Sequence, residues 1–221
     1  MENWTDQQLF ALMKEKLYTG VICDSMDDLG YRNQAMDEHI RPLEDGVVVV
    51  GRAKTILAAD VYHIHENPYE MEIKAMDSIA PDEVVVVCTN KSRNNGIWGE
   101  LLSTAAKMRG SSGAVIDGLI RDTRQIKKLG FPVYCTGYKP VDSRGRGIVI
   151  DYDCVVEVGG IMVHPGDVIF ADSDGIAVIP SSQLLQTVQN ALDKVERENH
   201  TRTELLEGKL LIEVYNKYGV L

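Results

Sequence analysis

A carboxylate at Glu100 is followed, after twenty intervening residues, by the adjacent pair Arg121-Asp122. Such a set can hold a hard cation beside an anion clamp. An Asp oxygen suits Mg²⁺, which keeps most of its waters and needs only one or two carboxylates. An Arg guanidinium presents a planar fork that matches a substrate carboxylate. Glu100 opens a helix in Gly99-Glu100-Leu101-Leu102, so the backbone N–H groups of Leu101 and Leu102 form an anion site next to that fork. Each residue alone also has a plain structural role. Asp122 can cap a helix starting at Thr123, Glu100 can favour a helix macrodipole, and Arg121 can pair with a surface acid. Their convergence is what would make a site.

The intervening chain predicts that convergence. It reads as a helix over Leu101 to Met108, a Gly110-Ser111-Ser112-Gly113 turn, and an apolar strand from Ala114 to Ile116. A helix of about nine residues descends roughly 13 Å, and a strand of about four residues climbs back by a similar distance. Glu100, Arg121 and Asp122 should therefore meet at one end of the layer. Thr5 or Asp6 caps a first helix with Leu9, Phe10, Met13 and Leu17 on one stripe. A second follows Thr19-Gly20 and stops near Leu29-Gly30. Strands are expected at Gly46–Val50, Ala53–Ala59 and Glu83–Cys88, with a helix opened by Asn67-Pro68 between the last two. Beyond Gly130 a helix from Thr123 to Leu129 gives way to short strands at 133–135, 155–158, 161–163, 168–171 and 176–179. Gly159-Gly160 and His164-Pro165-Gly166-Asp167 mark tight turns between them. Ser181 should cap a long C-terminal helix, followed by an apolar tail that packs on a neighbouring subunit. Strand–helix alternation followed by a strand-rich half implies an α/β sandwich with mixed sheets, one domain over 1–221 with 181–221 as its helical extension.

Composition narrows the function. The 221 residues carry 23 Lys plus Arg against 33 Asp plus Glu, a formal charge of −10 that disfavours nucleic-acid binding and can attract divalent cations. No GxGxxG or Walker A pattern is present. The cysteines Cys23, Cys88, Cys135 and Cys154 lie too far apart for a zinc ribbon or CxxC redox motif and read as buried, reduced thiols. The acidic start Met1-Glu2-Asn3-Trp4 lacks a signal-peptide pattern, and no apolar run is long enough for a membrane span, so a cytoplasmic protein is expected. His63 and His65 would share one strand face, yet Glu66-Asn67-Pro68 places His65 in a connecting loop, which disfavours a metal pair. Lys107 lies beside Met108 and Arg109 on a solvated helix face, which disfavours Schiff-base chemistry. Tyr138, Arg144 and Arg146 either line a substrate entrance or form a surface loop.

Gly99-Glu100-Leu101-Leu102, Ile116-Asp117-Gly118-Leu119-Ile120-Arg121-Asp122 and Leu129-Gly130-Phe131-Pro132-Val133 resemble the class II pyruvate aldolases of the RraA-like superfamily. The likeness continues through Thr19 to Asp24, Val158-Gly159-Gly160, Pro165-Gly166-Asp167 and Ala171 to Gly175, and is strongest from about 95 to 180. Best known in that group are the 4-hydroxy-4-methyl-2-oxoglutarate and 4-carboxy-4-hydroxy-2-oxoadipate aldolases. The resemblance implies a swivelling β/β/α fold and a lyase that cleaves a 4-hydroxy-2-oxo acid to pyruvate, with oxaloacetate decarboxylation as a side activity. It implies Mg²⁺ or Mn²⁺ on Asp122, with Glu100 touching the ion through water. It implies that Arg121 binds the 2-oxo acid and polarises its keto oxygen, beside Gly99, Leu101 and Leu102. It further implies a trimer or hexamer in which Glu196 or, preferably, Glu198 of a neighbouring subunit reaches the metal's waters.

Where the best-characterised aldolases have Asp, this chain has Glu100, one methylene longer. The superfamily's RNase E inhibitors lack the Asp that follows the Arg here, so Asp122 favours catalysis over the alternative, a non-catalytic regulator that binds a protein partner.

Overall fold

The computed structural model describes residues 4–220; Met1 to Asn3, part of the stretch read for a leader, lie outside them. In chain order the first elements are α1 (Asp6–Lys16), α2 (Thr19–Asp28), β1 (Arg41–Pro42), β2 (Val49–Asp60), α3 (Glu70–Asp77), β3 (Glu83–Cys88), β4 (Gly96–Trp98) and α4 (Glu100–Met108). Then come β5 (Gly113–Ile116), β6 (Leu119–Ile120), α5 (Thr123–Leu129), β7 (Val133–Cys135), β8 (Gly137–Tyr138) and β9 (Gly147–Tyr152). The chain closes with β10 (Val156–Val158), β11 (Ile161–Val163), β12 (Val168–Ala171), β13 (Ile176–Ile179), α6 (Leu184–Leu206) and α7 (Leu211–Tyr218).

An eight-stranded mixed sheet runs β1-β7-β5-β3-β2-β12-β13, with β9 also on β2. Strands β2, β3, β5 and β7 are mutually parallel, and β12, β13, β9 and β1 join antiparallel. The fold is a mixed α/β architecture, as expected. The parallel strands are apolar on both faces because both faces are covered. Along β3, Val85 and Val87 pack with Met76 of α3, Ala106 of α4 and Ile126 of α5. The alternate Val84 and Val86 pack with Val156, Val158 and Val163 of the β10–β11 hairpin. A third cluster joins Leu9 and Phe10 of α1, Ile22 of α2 and Val188 of α6 to Phe170 and Ile179.

The two strands expected at 46–50 and 53–59 are one. β2 continues through Gly51 because that glycine serves close approach rather than a break: a Cβ there would lie 2.3 Å from the Asp82 carbonyl oxygen. Its first half pairs with β12 and its second half with β9, across an irregularity at Leu57/Ala58. Ser181 does not cap α6 through its side chain; a 3₁₀ turn over Ser181–Gln183 precedes the helix, and the Ser181 N–H donates to Asp167. Two of the resemblance segments meet here for structural reasons. Asp172 accepts from both the N–H and the hydroxyl of Thr19, and so fixes the start of α2.

Five strands escaped the sequence reading: β1, β4, β6, β8 and β9. Of these, β4, β6 and β8 form a separate parallel sheet, β4-β6-β8. They are two or three residues long and carry no period-2 pattern that could be read. This small sheet is what aims the chemistry.

Gly51→Ala should destabilise the protein by about 2–3 kcal/mol, because the added methyl meets backbone rather than a movable side chain. Urea denaturation of the two proteins measures it.

Candidate active site

β4 runs into Gly99-Glu100 and β6 into Arg121-Asp122. The register Trp98↔Ile120 lays those two exits side by side, and the Arg121 N–H donates to the Trp98 carbonyl at 2.8 Å. Trp98 is fully buried. Its indole N–H donates to the Ser103 hydroxyl at 2.8 Å, and that hydroxyl donates to the Gly99 carbonyl at 3.0 Å. The first turn of α4 is thereby fastened to the floor beneath it. Gly99 must be glycine, since a Cβ would lie 2.7 Å from Asp122 Oδ2 and 3.2 Å from Arg121 Cγ.

Asp122 occupies the N-cap position of α5 with left-handed backbone, φ 57°, but its side chain makes no cap hydrogen bond there. The carboxylate is turned instead to the other helix, where Oδ2 accepts from the Glu100 N–H at 3.3 Å. A left-handed Asp costs backbone strain that an ordinary cap would not need. The plain capping role expected for this residue is therefore not the one it plays. Glu100 lines the same wall, with Oε1 accepting from the Thr104 hydroxyl at 2.9 Å. The N–H groups of Leu101 and Leu102 have no partner among the described residues and face the first turn's open end.

These residues border a cleft of about 780 Å³. The structure brings together Gly99, Glu100, Leu101, Leu102, Arg121 and Asp122 on its walls. Glu198 is not among them. On α6 of the same chain it accepts from the Tyr18 hydroxyl, and burial together with that bond raises the Tyr18 pKa to about 12. Tyr138 is exposed, and neither it, Arg144 nor Arg146 lines the cleft. His63 and His65 lie beyond β2, rings 4.3 Å apart. Lys107 donates to the Leu129 carbonyl, away from the cleft, and no lysine lines the cleft among the described residues. Cys88 and Cys135 are buried; Cys23 and Cys154 are only half-buried.

Three polar groups that line the cleft were missed: Tyr69, Glu72 and Asp142. Asp142 Oδ1 accepts from Arg121 Nη2 at 3.0 Å, and Oδ2 accepts from the Tyr69 hydroxyl and from the Arg144 N–H. Burial pushes this carboxyl's pKa up, but the Tyr69 bond, the Arg144 N–H and the Arg121 charge outweigh it and hold it below the ordinary value. Arg121 is thus braced by Asp142 on one side, with Asp122 Oδ2 4.0 Å from its Nε on the other. Glu72 is half-buried on α3, where the cleft meets an apolar recess of Ile56, Met76 and Leu102. Burial first, then repulsion from Asp142, raises its pKa to about 7 against the pull of Arg121. The Asn67-Pro68 helix start was visible in the sequence, but nothing local marks which acid on α3 turns inward.

The RraA-like family model, described as Aldolase/RraA, matches residues 19–178. The chain belongs to that family. A Halalkalibacterium halodurans relative, provisionally named a 4-hydroxy-4-methyl-2-oxoglutarate aldolase, is 30% identical to this RraA-like chain over 197 residues, 89% of each chain. Protein DlpA of Legionella pneumophila is 28% identical over 200 residues, 89% of this chain but 32% of DlpA, so this chain spans about a third of that relative's length. The crystal structure of Streptomyces coelicolor RraAS2, described as an unusual member of the RNase ES inhibitor RraA protein family, matches with TM-score 0.80 at 29% identity. That match covers 90% of this chain and 97% of the other. RraA-like proteins therefore carry both aldolase and inhibitor descriptions, and the site rather than the fold must decide between them.

Glu72 gives a pH signature. The unfolded chain releases this proton near pH 4.5, whereas the folded chain keeps it up to about pH 7. Ionisation therefore penalises the fold increasingly between those values and by a constant amount above them. Discounted for partial solvent exposure, Glu72→Gln should stabilise chelator-treated protein by about 1–2 kcal/mol at pH 8. The gain should vanish below about pH 4.5. Urea midpoints at the two pH values provide the check.

Proposed function

We propose that this RraA-like chain is a divalent-metal-dependent lyase that cleaves a 4-hydroxy-2-oxo acid to pyruvate and a carbonyl product, and decarboxylates oxaloacetate as a side reaction. The observation that carries the reading is the Arg121-Asp122 pair held against the first turn of α4 inside one cleft. Asp122 makes no side-chain cap on α5 and turns its carboxylate to the first turn of α4, inside the cleft.

The donor set fits Mg²⁺ or Mn²⁺. Among the described residues no cluster of three His, Cys, Asp or Glu side chains is arranged to enclose a metal. A lone carboxylate with a second acid nearby suits an ion that retains several waters. Asp122 would hold it directly, and Glu100 would contact its hydration. When bound, the ion supplies Lewis-acid charge for the 2-oxo acid. In a trimer or hexamer, Glu198 of one copy would complete the cleft of the next.

The chain's own groups account for recognition. The guanidinium of Arg121, fixed in direction by Asp142, offers donors to a carboxylate and to the keto oxygen where negative charge develops as the C–C bond breaks. The free N–H groups of Leu101 and Leu102 add backbone donors on the same side. Because Arg121 is held before substrate arrives, little reorganisation is needed during the reaction.

The test is pyruvate release from oxaloacetate and from 4-hydroxy-4-methyl-2-oxoglutarate by chelator-stripped protein, with and without added Mg²⁺ or Mn²⁺. Metal-restored release from either compound supports the reading; no release from both overturns it. Asp122→Ala should lower metal-dependent kcat by about a thousandfold with the fold intact by circular dichroism. Arg121→Ala should lower kcat/KM by about 100- to 1000-fold, and an unchanged value would remove it from the mechanism.

A further inference from the structure

Four carboxyl groups share the cleft wall: Glu72, Glu100, Asp122 and Asp142. Three are already engaged. Asp142 uses both oxygens, on Arg121, Tyr69 and Arg144. Asp122 accepts from the Glu100 N–H, and Glu100 accepts from Thr104. Glu72 alone has no hydrogen-bond or ion-pair partner among the described residues, although its carboxyl is half-buried against Ile97 and Leu102 at the rim of the apolar recess. A buried acid without a partner is costly to the fold unless something outside the chain supplies one. It lines the same cleft as Arg121, close enough for that guanidinium's charge to act on it.

We infer that Glu72 is the acid–base catalyst of this site, taking the proton from the substrate's 4-hydroxyl and returning it to C3 of the departing pyruvate. The inference rests on the lyase reading above. In the forward direction the 4-hydroxyl O–H pair becomes the second bond of the new carbonyl, and the C3–C4 pair passes into the enolate. Glu72, now protonated, donates that proton to C3 as the enolate collapses to pyruvate. No proton or electron is left over. A carboxyl poised near neutrality can both accept and donate at physiological pH, as this exchange demands. The charged and titratable groups around it are Arg121, Asp142, Tyr69, Glu100 and Asp122.

Oxaloacetate decarboxylation provides an internal reference, because no hydroxyl proton must be removed before its C–C bond breaks. The experiment compares the intact protein with Glu72→Gln at saturating Mg²⁺, following CO₂ release from oxaloacetate and exchange of pyruvate methyl protons with D₂O by NMR. Glu72→Gln should slow the exchange at least about 30-fold more than it slows CO₂ release. Glu72→Asp should restore part of the exchange. Equal losses in both reactions, or none in either, would overturn the role of Glu72. So would an unmodified protein that releases CO₂ without exchanging protons. An unmodified protein that does neither removes the lyase reading itself. Gln is nearly isosteric and removes a charge that burdens the fold, so a folding failure is not expected.

Discussion

The parallel pairing of β4 with β6 is the constraint on which the site depends. Two or three residues of ladder on each side fix Gly99 and Arg121 as neighbours, although twenty-one residues separate them. Glu100, Arg121 and Asp122 are aimed from those two exits. The ladder is too short to be stable alone. It survives because Trp98 and Ile120 are buried in the cluster beneath α3, α4 and α5. Core packing, rather than the ladder's own hydrogen bonds, therefore maintains the geometry of the site.

The site in turn works against the fold in two places. Asp122 sits with φ 57°, which a non-glycine residue adopts only at a cost. Glu72 keeps a carboxyl where water is partly excluded and no group among the described residues hydrogen-bonds or ion-pairs with it. Both departures lie within one cleft. Left-handed backbone also occurs at Asp82, Asn90, Lys91 and Asp153, so what sets the cleft apart is that its strained Asp122 stands beside an unpartnered acid and a braced arginine. The brace from Asp142 to Arg121 has the opposite character: it spends no strain and fixes the direction of the cation.

Much of this was legible in the sequence. The buried strands over 83–88, 133–135, 161–163, 168–171 and 176–179 appear at those bounds, because continuous apolar runs between Gly, Pro and Asp leave few alternatives. The same holds for the helices beginning at Glu100 and Thr123. What stayed hidden was long-range. Gly51 looked like a break because glycine usually ends a strand, but here it admits the Asp82 backbone. The strand from Ala114 to Ile116 was expected, with Arg121-Asp122 simply following it; the second strand between them, β6, was not. After Ile116, Asp117-Gly118 hands the chain to a second sheet. The convergence was right, although the route was incomplete. Asp142 and Glu72 carry no local signature, since they become site residues only through the elements that fold against Arg121.

The placement of Trp98 has an optical consequence. Of the two tryptophans, Trp4 is 45% exposed and Trp98 is 1% exposed, stacked 6.5 Å from Phe131 and one position before Gly99. Their emission should separate cleanly, with a red-shifted component from Trp4 and a blue-shifted one from Trp98. Because the Trp98 indole is tied through Ser103 to the carbonyl that starts α4, movement of that helix must alter the shorter-wavelength component first. The molecule carries a built-in fluorophore beneath its own cleft, and events there can be followed in real time without a label.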